Sequence, residues 1–209
     1  MYLPVIIALF LCALLVAPAA STEHETEHDT TDEAKPSAQD PDLEYYAINR
    51  FMNISDDIWV WNTTQKNVQK CRKDINLYMT VNATFFNRSH EEDGKIKNKS
   101  LIGYFGNNDE EENNAYNEIR ISDGHDRYDE ILVYASEDMR CGVVRVFAYK
   151  NGSSTLPDTI DETVIWREIR VRGRPNKTIT LDEGCTKDFE EYVKALKANW
   201  TSPYNETCK

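Results

Sequence analysis

The sequence contains no G-x-S-x-G elbow, no P-loop and no G-x-G-x-x-G turn, so acyl-transfer, phosphate and dinucleotide chemistry have no recognisable anchor in it. Long apolar runs are also missing: after the first twenty residues nothing approaches the ~18 needed to cross a bilayer. Basic side chains are in deficit, 24 against 36 acidic ones in 209 residues. The resulting formal charge of −12 argues against nucleic acid and anionic membrane surfaces as partners, since both require a basic face. Surplus acid favours a cationic partner instead. The surplus is uneven, because Ser21 to Asp42 holds eight acids and one lysine, which leaves the remainder only mildly acidic.

What is present points outside the cell. Residues 1–20 are uncharged beyond the amino terminus and end in Ala17-Pro18-Ala19, a small-residue pattern suited to signal-peptidase cleavage. Nine Asn-x-Ser/Thr sequons follow, at Asn53, Asn62, Asn82, Asn87, Asn98, Asn151, Asn176, Asn199 and Asn205. Chance would give about two for this composition, so the enrichment predicts a glycosylated secreted protein. Once Cys12 leaves with the signal, Cys71, Cys141, Cys185 and Cys208 remain. In an oxidising compartment four cysteines form two disulfides, with three connectivities open.

Residues 21–42 are too polar to offset the entropy of ordering them and read as a disordered acidic arm. Within it His24-Glu25-Thr26-Glu27-His28 matches the zinc-protease pattern H-E-x-x-H. That chemistry needs a buried rigid helix, and this segment has no apolar face, so no metal or other cofactor is expected. From residue 43 a single domain is expected. A short helix over Leu43 to Met52 precedes strand-like segments at Ile58 to Thr63, Arg72 to Phe86, Ser100 to Phe105, Tyr116 to Ser122, Glu130 to Ser136, Gly142 to Tyr149 and Val164 to Arg172. Asp93-Gly94, Asp123-Gly124 and Ser136-Glu137-Asp138 supply turns. Phe189, Tyr192, Val193 and Leu196 then line one face of a helix over Lys187 to Lys197.

Seven or eight antiparallel strands with a helix at each end predict an all-β, eight-stranded up-and-down barrel with the C-terminal helix packed outside; a sandwich is the alternative. Strand alternation sets the faces. With Asn82 turned to water, Asp74, Asn76, Tyr78, Thr80 and Thr84 fall outside, and Ile75, Leu77, Met79, Val81, Ala83 and Phe85 inside. With Asn62 outside, Trp59 and Trp61 point inward. The Asn107 to Asn114 run (NNDEEENN) reads as a loop at the barrel mouth. A cup with aromatic and acidic walls suits a small ligand, and carboxylates beside rings suit an ammonium. Catalysis is not expected.

A family resemblance runs through the same residues. Ser55-Asp56-Asp57-Ile58-Trp59-Val60-Trp61-Asn62-Thr63-Thr64, Cys71 to Asp74, Leu101-x-Gly103-x-Phe105, Glu130 to Val144 with Tyr134, Ser136, Asp138 and Cys141, then Glu168 to Val171 with Cys185 and Cys208, resemble the tick salivary lipocalins, the histamine-binding family. The resemblance covers residue 43 to the C-terminus. It implies the barrel, secretion during blood feeding, capture of a host mediator, and the pairings Cys71 with Cys208 and Cys141 with Cys185. It further implies an amine site built from Asp56, Trp59, Tyr116, Tyr128, Glu130 and Glu168. Strand parity favours Asp57 over Asp56 as the inward acid, and Arg145, Arg167 and Arg170 offer Glu130 and Glu168 the alternative of outward salt bridges.

Two positions depart from the family pattern. Gly142 replaces an acid that often follows the third framework cysteine, and the acid expected before the third strand falls in the lysine-bearing stretch Lys95 to Lys99. One amine site is therefore implied rather than two. The expectation is a non-enzymatic, monomeric, secreted barrel that sequesters histamine or serotonin to suppress host defence. A lipid scavenger for leukotriene, fatty acid or sterol is the first alternative, and a surface that holds a host protein is the second.

Overall fold

In the computed structural model, residues 47–108, 116–124, 126–151, 160–175 and 180–209 are described, the side chains of 150, 151 and 160–162 excepted. The signal segment, the acidic arm with its H-E-x-x-H match, residues 43–46 and Asn176 lie outside the described residues. A short helix, α1 (Ile48–Met52), leads into eight strands: β1 (Ile58–Thr63), β2 (Lys70–Met79), β3 (Ala83–Glu92), β4 (Lys95–Gly106), β5 (Glu118–Asp123), β6 (Asp126–Ala135), β7 (Cys141–Asn151) and β8 (Ile160–Arg172). Helix α2 (Glu183–Leu196) follows. Each strand pairs antiparallel with the next, and β1 with β8, so the sheet closes into a barrel without an edge.

The expected segment Arg72 to Phe86 is two strands. Thr80, Val81 and Asn82 form a tight turn in which the Thr80 amide donates to the Ala83 carbonyl at 2.8 Å. Asn82 therefore sits in the turn and says nothing about strand faces. The predicted faces are reversed over the first part of β2 and at the turn, where Asp74 is buried while Leu77 and Val81 are exposed. Beyond a register shift between Asn76 and Tyr78, Tyr78 is outside and Met79 packs on the core, as expected. A register shift between Val60 and Asn62 has a similar effect on β1. Asn62 faces outward opposite Ile169, yet Trp59 and Trp61 also lie outside, because the extra residue resets the alternation.

One end of the barrel is closed by α1. Ile48, Phe51 and Met52 pack with Ile58, Phe86 and Leu132 inside it. The end of β4 and the start of β5 are at this end, where the Ile48 amide donates to the Tyr116 carbonyl at 2.8 Å. Residues 109–114, most of the Asn107–Asn114 run, lie outside the described residues. Gly142 faces the plug from β7, and a Cβ there would come 2.9 Å from Leu132 Cδ1 and from Phe51 Cε2. That contact accounts for the absent acid.

Outside, α2 begins four residues earlier than its apolar periodicity indicated. Asp182 caps it by accepting from the Cys185 amide at 3.2 Å. The helix buries Cys185 and Phe189 against Val143, Ile169 and Val171. The C-terminal tail covers β1, with Tyr204 stacked on Trp61 and edge-on to Trp59. Disulfides Cys71–Cys208 and Cys141–Cys185 fasten tail and helix to the wall.

Candidate ligand site at the barrel mouth

Side chains of β2, β3, β6 and β8 that point inward meet at mid-height, above the α1 plug, in a layer of six charges. Asp74 and Arg88 are direct cross-strand partners, and Arg88 grips the carboxylate with Nε and Nη2, both at 2.8 Å. Arg88 Nη2 also lies 2.9 Å from Glu130 Oε1. Arg170 Nη1 donates to Glu130 Oε2 at 2.6 Å, and Arg170 Nε to Glu168 Oε2 at 2.9 Å. Glu168 takes two further bonds from Arg72, at 2.7 and 3.3 Å, and one from Trp166 Nε1 at 2.7 Å. Three guanidiniums thus balance three buried carboxylates.

The mutual pairing decides the charge states. Burial pushes the Glu130 carboxyl up, but the guanidiniums of Arg170 and Arg88 outweigh it and hold the group far below the usual carboxylate range. Glu168 is also held down: burial opposes its charge, and Arg72 and Arg170 more than compensate. Burial likewise opposes the charge on Arg170 and Arg88, and the surrounding acids raise both above the ordinary guanidinium value. Arg72 differs. Burial pulls it down, the nearby Arg88 and Arg170 add to the effect, and Glu168 does not fully restore it. Its Nε is buried with no hydrogen-bond partner. Of the three guanidiniums it is the least compensated.

Above this layer lies a cavity of about 270 Å³ bounded by Gln65, Gln69, Arg72, Arg88, His90, Lys99, Leu101, Asp123, Tyr128 and Trp166. Arg72 and Arg88 form its floor, so the cavity meets guanidinium rather than Glu130 or Glu168. Asp123 on the rim is paired with Lys99. Tyr128 donates to Asp126 at 3.4 Å, and its phenol is raised by burial and then by Asp126 and Asp123. A larger hollow of about 500 Å³ lies outside the barrel, between the β6–β7 turn and the approach to α2. Two of its three acids are already used. Asp138 accepts from Ser136 Oγ at 2.7 Å and the Arg140 amide at 3.0 Å, and Asp182 accepts from Tyr134 at 2.7 Å while capping α2. Among the described residues no cluster of His, Cys, Asp and Glu could hold a metal ion.

Tyr128, Glu130 and Glu168, expected from the sequence, converge inside the barrel, and the acids point in. Four other expected residues do not join them. Asp56 and Asp57 lie at the closed end, where Asp57 binds Lys73 at 2.7 Å. Trp59 is outside under the tail, with Lys73 Nζ 4.6 Å from its ring centre. Tyr116 stacks on Phe105 at the closed end, 5.9 Å between centroids. Sequence reasoning missed Arg72, Arg88 and Trp166, placed Asp74 outside, and offered Arg170 to Glu130 and Glu168 only as a partner for outward salt bridges, whereas the pairing is interior. The available signal was alternation: Arg72 and Asp74, and then Trp166, Glu168 and Arg170, repeat every second residue.

No family model matches the chain, and no curated protein does. Solved structures do match in fold. A dog lipocalin allergen aligns with a TM-score of 0.51 and 9% identity, over 75% of this chain and 97% of that one. A complex of AM182 with serotonin aligns at 0.50 and 11% identity, over 77% and 92%. A bovine odorant-binding protein variant aligns at 0.48 and 14%, over 73% and 95%. The closed eight-stranded barrel with its short N-terminal and longer C-terminal helix is the lipocalin fold.

Proposed function

We propose that this chain of the lipocalin fold is a secreted scavenger that takes a small ligand into the barrel mouth and holds it by an anionic group. The observation that carries this reading is that Arg72 and Arg88 stand between the cavity and every interior carboxylate. A carboxylate arriving from the mouth meets the guanidiniums of Arg72 and Arg88, with Gln69 and His90 in the same lining. Leu101, Tyr128 and Trp166 receive the adjoining apolar part. About 270 Å³ is below the usual ~300–1,000 Å³ of drug-sized sites, so a long acyl chain would be enclosed only in part and leave through the open end. This matches the lipid-mediator alternative, a leukotriene or fatty acid, more closely than the amine. Capture of such a mediator from a feeding host is the biological role that the resemblance implies.

The amine reading keeps one supporting observation: Tyr128 and Trp166 provide ring faces beside the Asp123 carboxylate. The serotonin complex of a protein with the same fold is compatible with it. Asp123 would have to leave Lys99 to accept an ammonium, and the ligand would approach two guanidiniums. Calorimetry with leukotriene and arachidonate, and in parallel with histamine and serotonin, tests both readings. Saturable binding of an anionic lipid that weakens in Arg72→Met is expected. Saturable amine binding with no response to either lipid would overturn the proposal.

A further inference from the structure

We propose that Asn87 carries an N-linked glycan whose first N-acetylglucosamine lies on the Phe85 and Tyr78 rings and covers the bare outer face of β2–β4. This face is the most apolar exposed part of the barrel wall: Leu77, Tyr78 and Tyr104 are 58, 61 and 58% exposed. Tyr78 pairs across the strands with Phe85, and Phe85 with Ile102. The two rings lie 5.5 Å apart, tilted by 39°. An exposed apolar patch on a secreted protein requires a cover.

The register places a modification site beside it. Asn87 is two residues beyond Phe85, so the two side chains share the outer face, while Thr84, Phe86 and Arg88 turn inward. Asn87 Oδ1 accepts from Ser100 Oγ at 2.7 Å. That bond fixes the amide plane and leaves Nδ2, the atom that carries a glycan, without a hydrogen bond among the described residues. A second sequon, Asn82, lies in the turn at the other end of the patch, next to Ala83, which is paired with Tyr104. A second protein docking here would meet a sequon at each end. A glycan rooted at Asn87 is already in place, and the apolar C–H face of its pyranose matches an aromatic surface.

The chemistry balances with a lipid-linked oligosaccharide pyrophosphate as donor. Nδ2 bonds to C1 of the terminal N-acetylglucosamine, the C1–O bond to pyrophosphate breaks, and the amide proton passes to the transferase base. Ser89, the hydroxyl of the sequon, is buried in the folded barrel. Transfer must therefore precede closure of the sheet.

The test uses the full chain secreted from eukaryotic cells, with site occupancy mapped by mass spectrometry. Endoglycosidase trimming to a single N-acetylglucosamine should leave one acetyl methyl resonance shifted upfield by ring current, with contacts to the Phe85 and Tyr78 ring protons. Ser89→Ala, which removes the sequon and keeps Asn87, should erase that resonance. The trimmed protein should melt about 2–4 °C above Ser89→Ala, and Phe85→Ser should abolish the difference. An unoccupied Asn87, or an occupied one without the upfield methyl, overturns the proposal. If Phe85→Ser fails to fold, the methyl contacts in the native sequence decide alone. Neither result depends on which ligand the mouth takes.

Discussion

Glu168→Gln tests the charged layer most sharply, because Glu168 is completely buried and accepts from Arg72, Arg170 and Trp166 together. The substitution keeps the size and removes the charge, leaving three guanidiniums against two carboxylates. One glutamine oxygen cannot accept all these donors, and its NH2 group would point hydrogens at an arginine. Breaking a buried ion pair from one side costs about 3–5 kcal/mol. In a domain of this size each kcal/mol moves Tm by about 2–4 °C, so a loss of roughly 6–20 °C is expected by circular dichroism. Ligand binding separates the two functional readings. Arg72 loses its main acceptor, so affinity for an anionic lipid should hold or rise, whereas a site that used Glu168 as counter-charge for an amine should lose that ligand. A Tm within about 2 °C of the parent would refute the picture of a mutually dependent ion layer.

The same layer sets an acid limit. Glu130 and Glu168 have lowered values in the folded state, so their stabilisation is present above the unfolded carboxylate value of ~4.3 and is lost as pH falls from there toward the folded values. Thermal melts from pH 7 to 2 should show that loss beginning below about 4.3, with a shallower slope in Glu168→Gln. Cys208→Ser opens a link spanning 137 residues and should cost about 2–5 kcal/mol in urea unfolding; an unchanged midpoint would count against the tail as a structural clamp. Gly142→Asp, which restores the acid expected from the resemblance, should drive Phe51 from its place and cost about 1–3 kcal/mol by overpacking alone, with no second amine site gained on titration.

The barrel was legible in the sequence because its strands are rich in β-branched and aromatic residues and its turns carry their own signals. Asp93 and Gly94, for example, adopt φ of 51° and 70°, as a tight hairpin requires. The orientation of side chains was less legible. Thr80-Val81-Asn82 has neither glycine nor proline, so a turn inside Arg72–Phe86 read as strand. The faces assigned from Asn82 were inverted at Asp74, Leu77, Thr84 and Phe85 but not at Tyr78 and Met79, which follow the irregularity in β2. On β8 both rows carry apolar residues, since Ile169 and Val171 lie under α2 while Trp166 lines the interior. Hydrophobicity alone could not say which row was the core. Glu130 and Glu168 emerged from the resemblance and Arg170 as one available partner, but Arg72 and Arg88 did not: a mutually neutralising layer depends on the register of β2, β3, β6 and β8, and short motifs do not encode it.

The charged layer also partitions the barrel into two compartments with separate demands on sequence. Below it, Phe51, Leu132 and Gly142 interlock with α1, and any change is read as folding. Above it, Gln69, His90 and Leu101 border the cavity, and of the three Leu101 alone joins the hydrophobic core. Ligand preference can therefore drift by exchanging mouth residues while the foundation stays fixed, and substitutions drawn from the two compartments should combine additively. Lineages sharing this floor could diverge in cargo without first having to solve the barrel again.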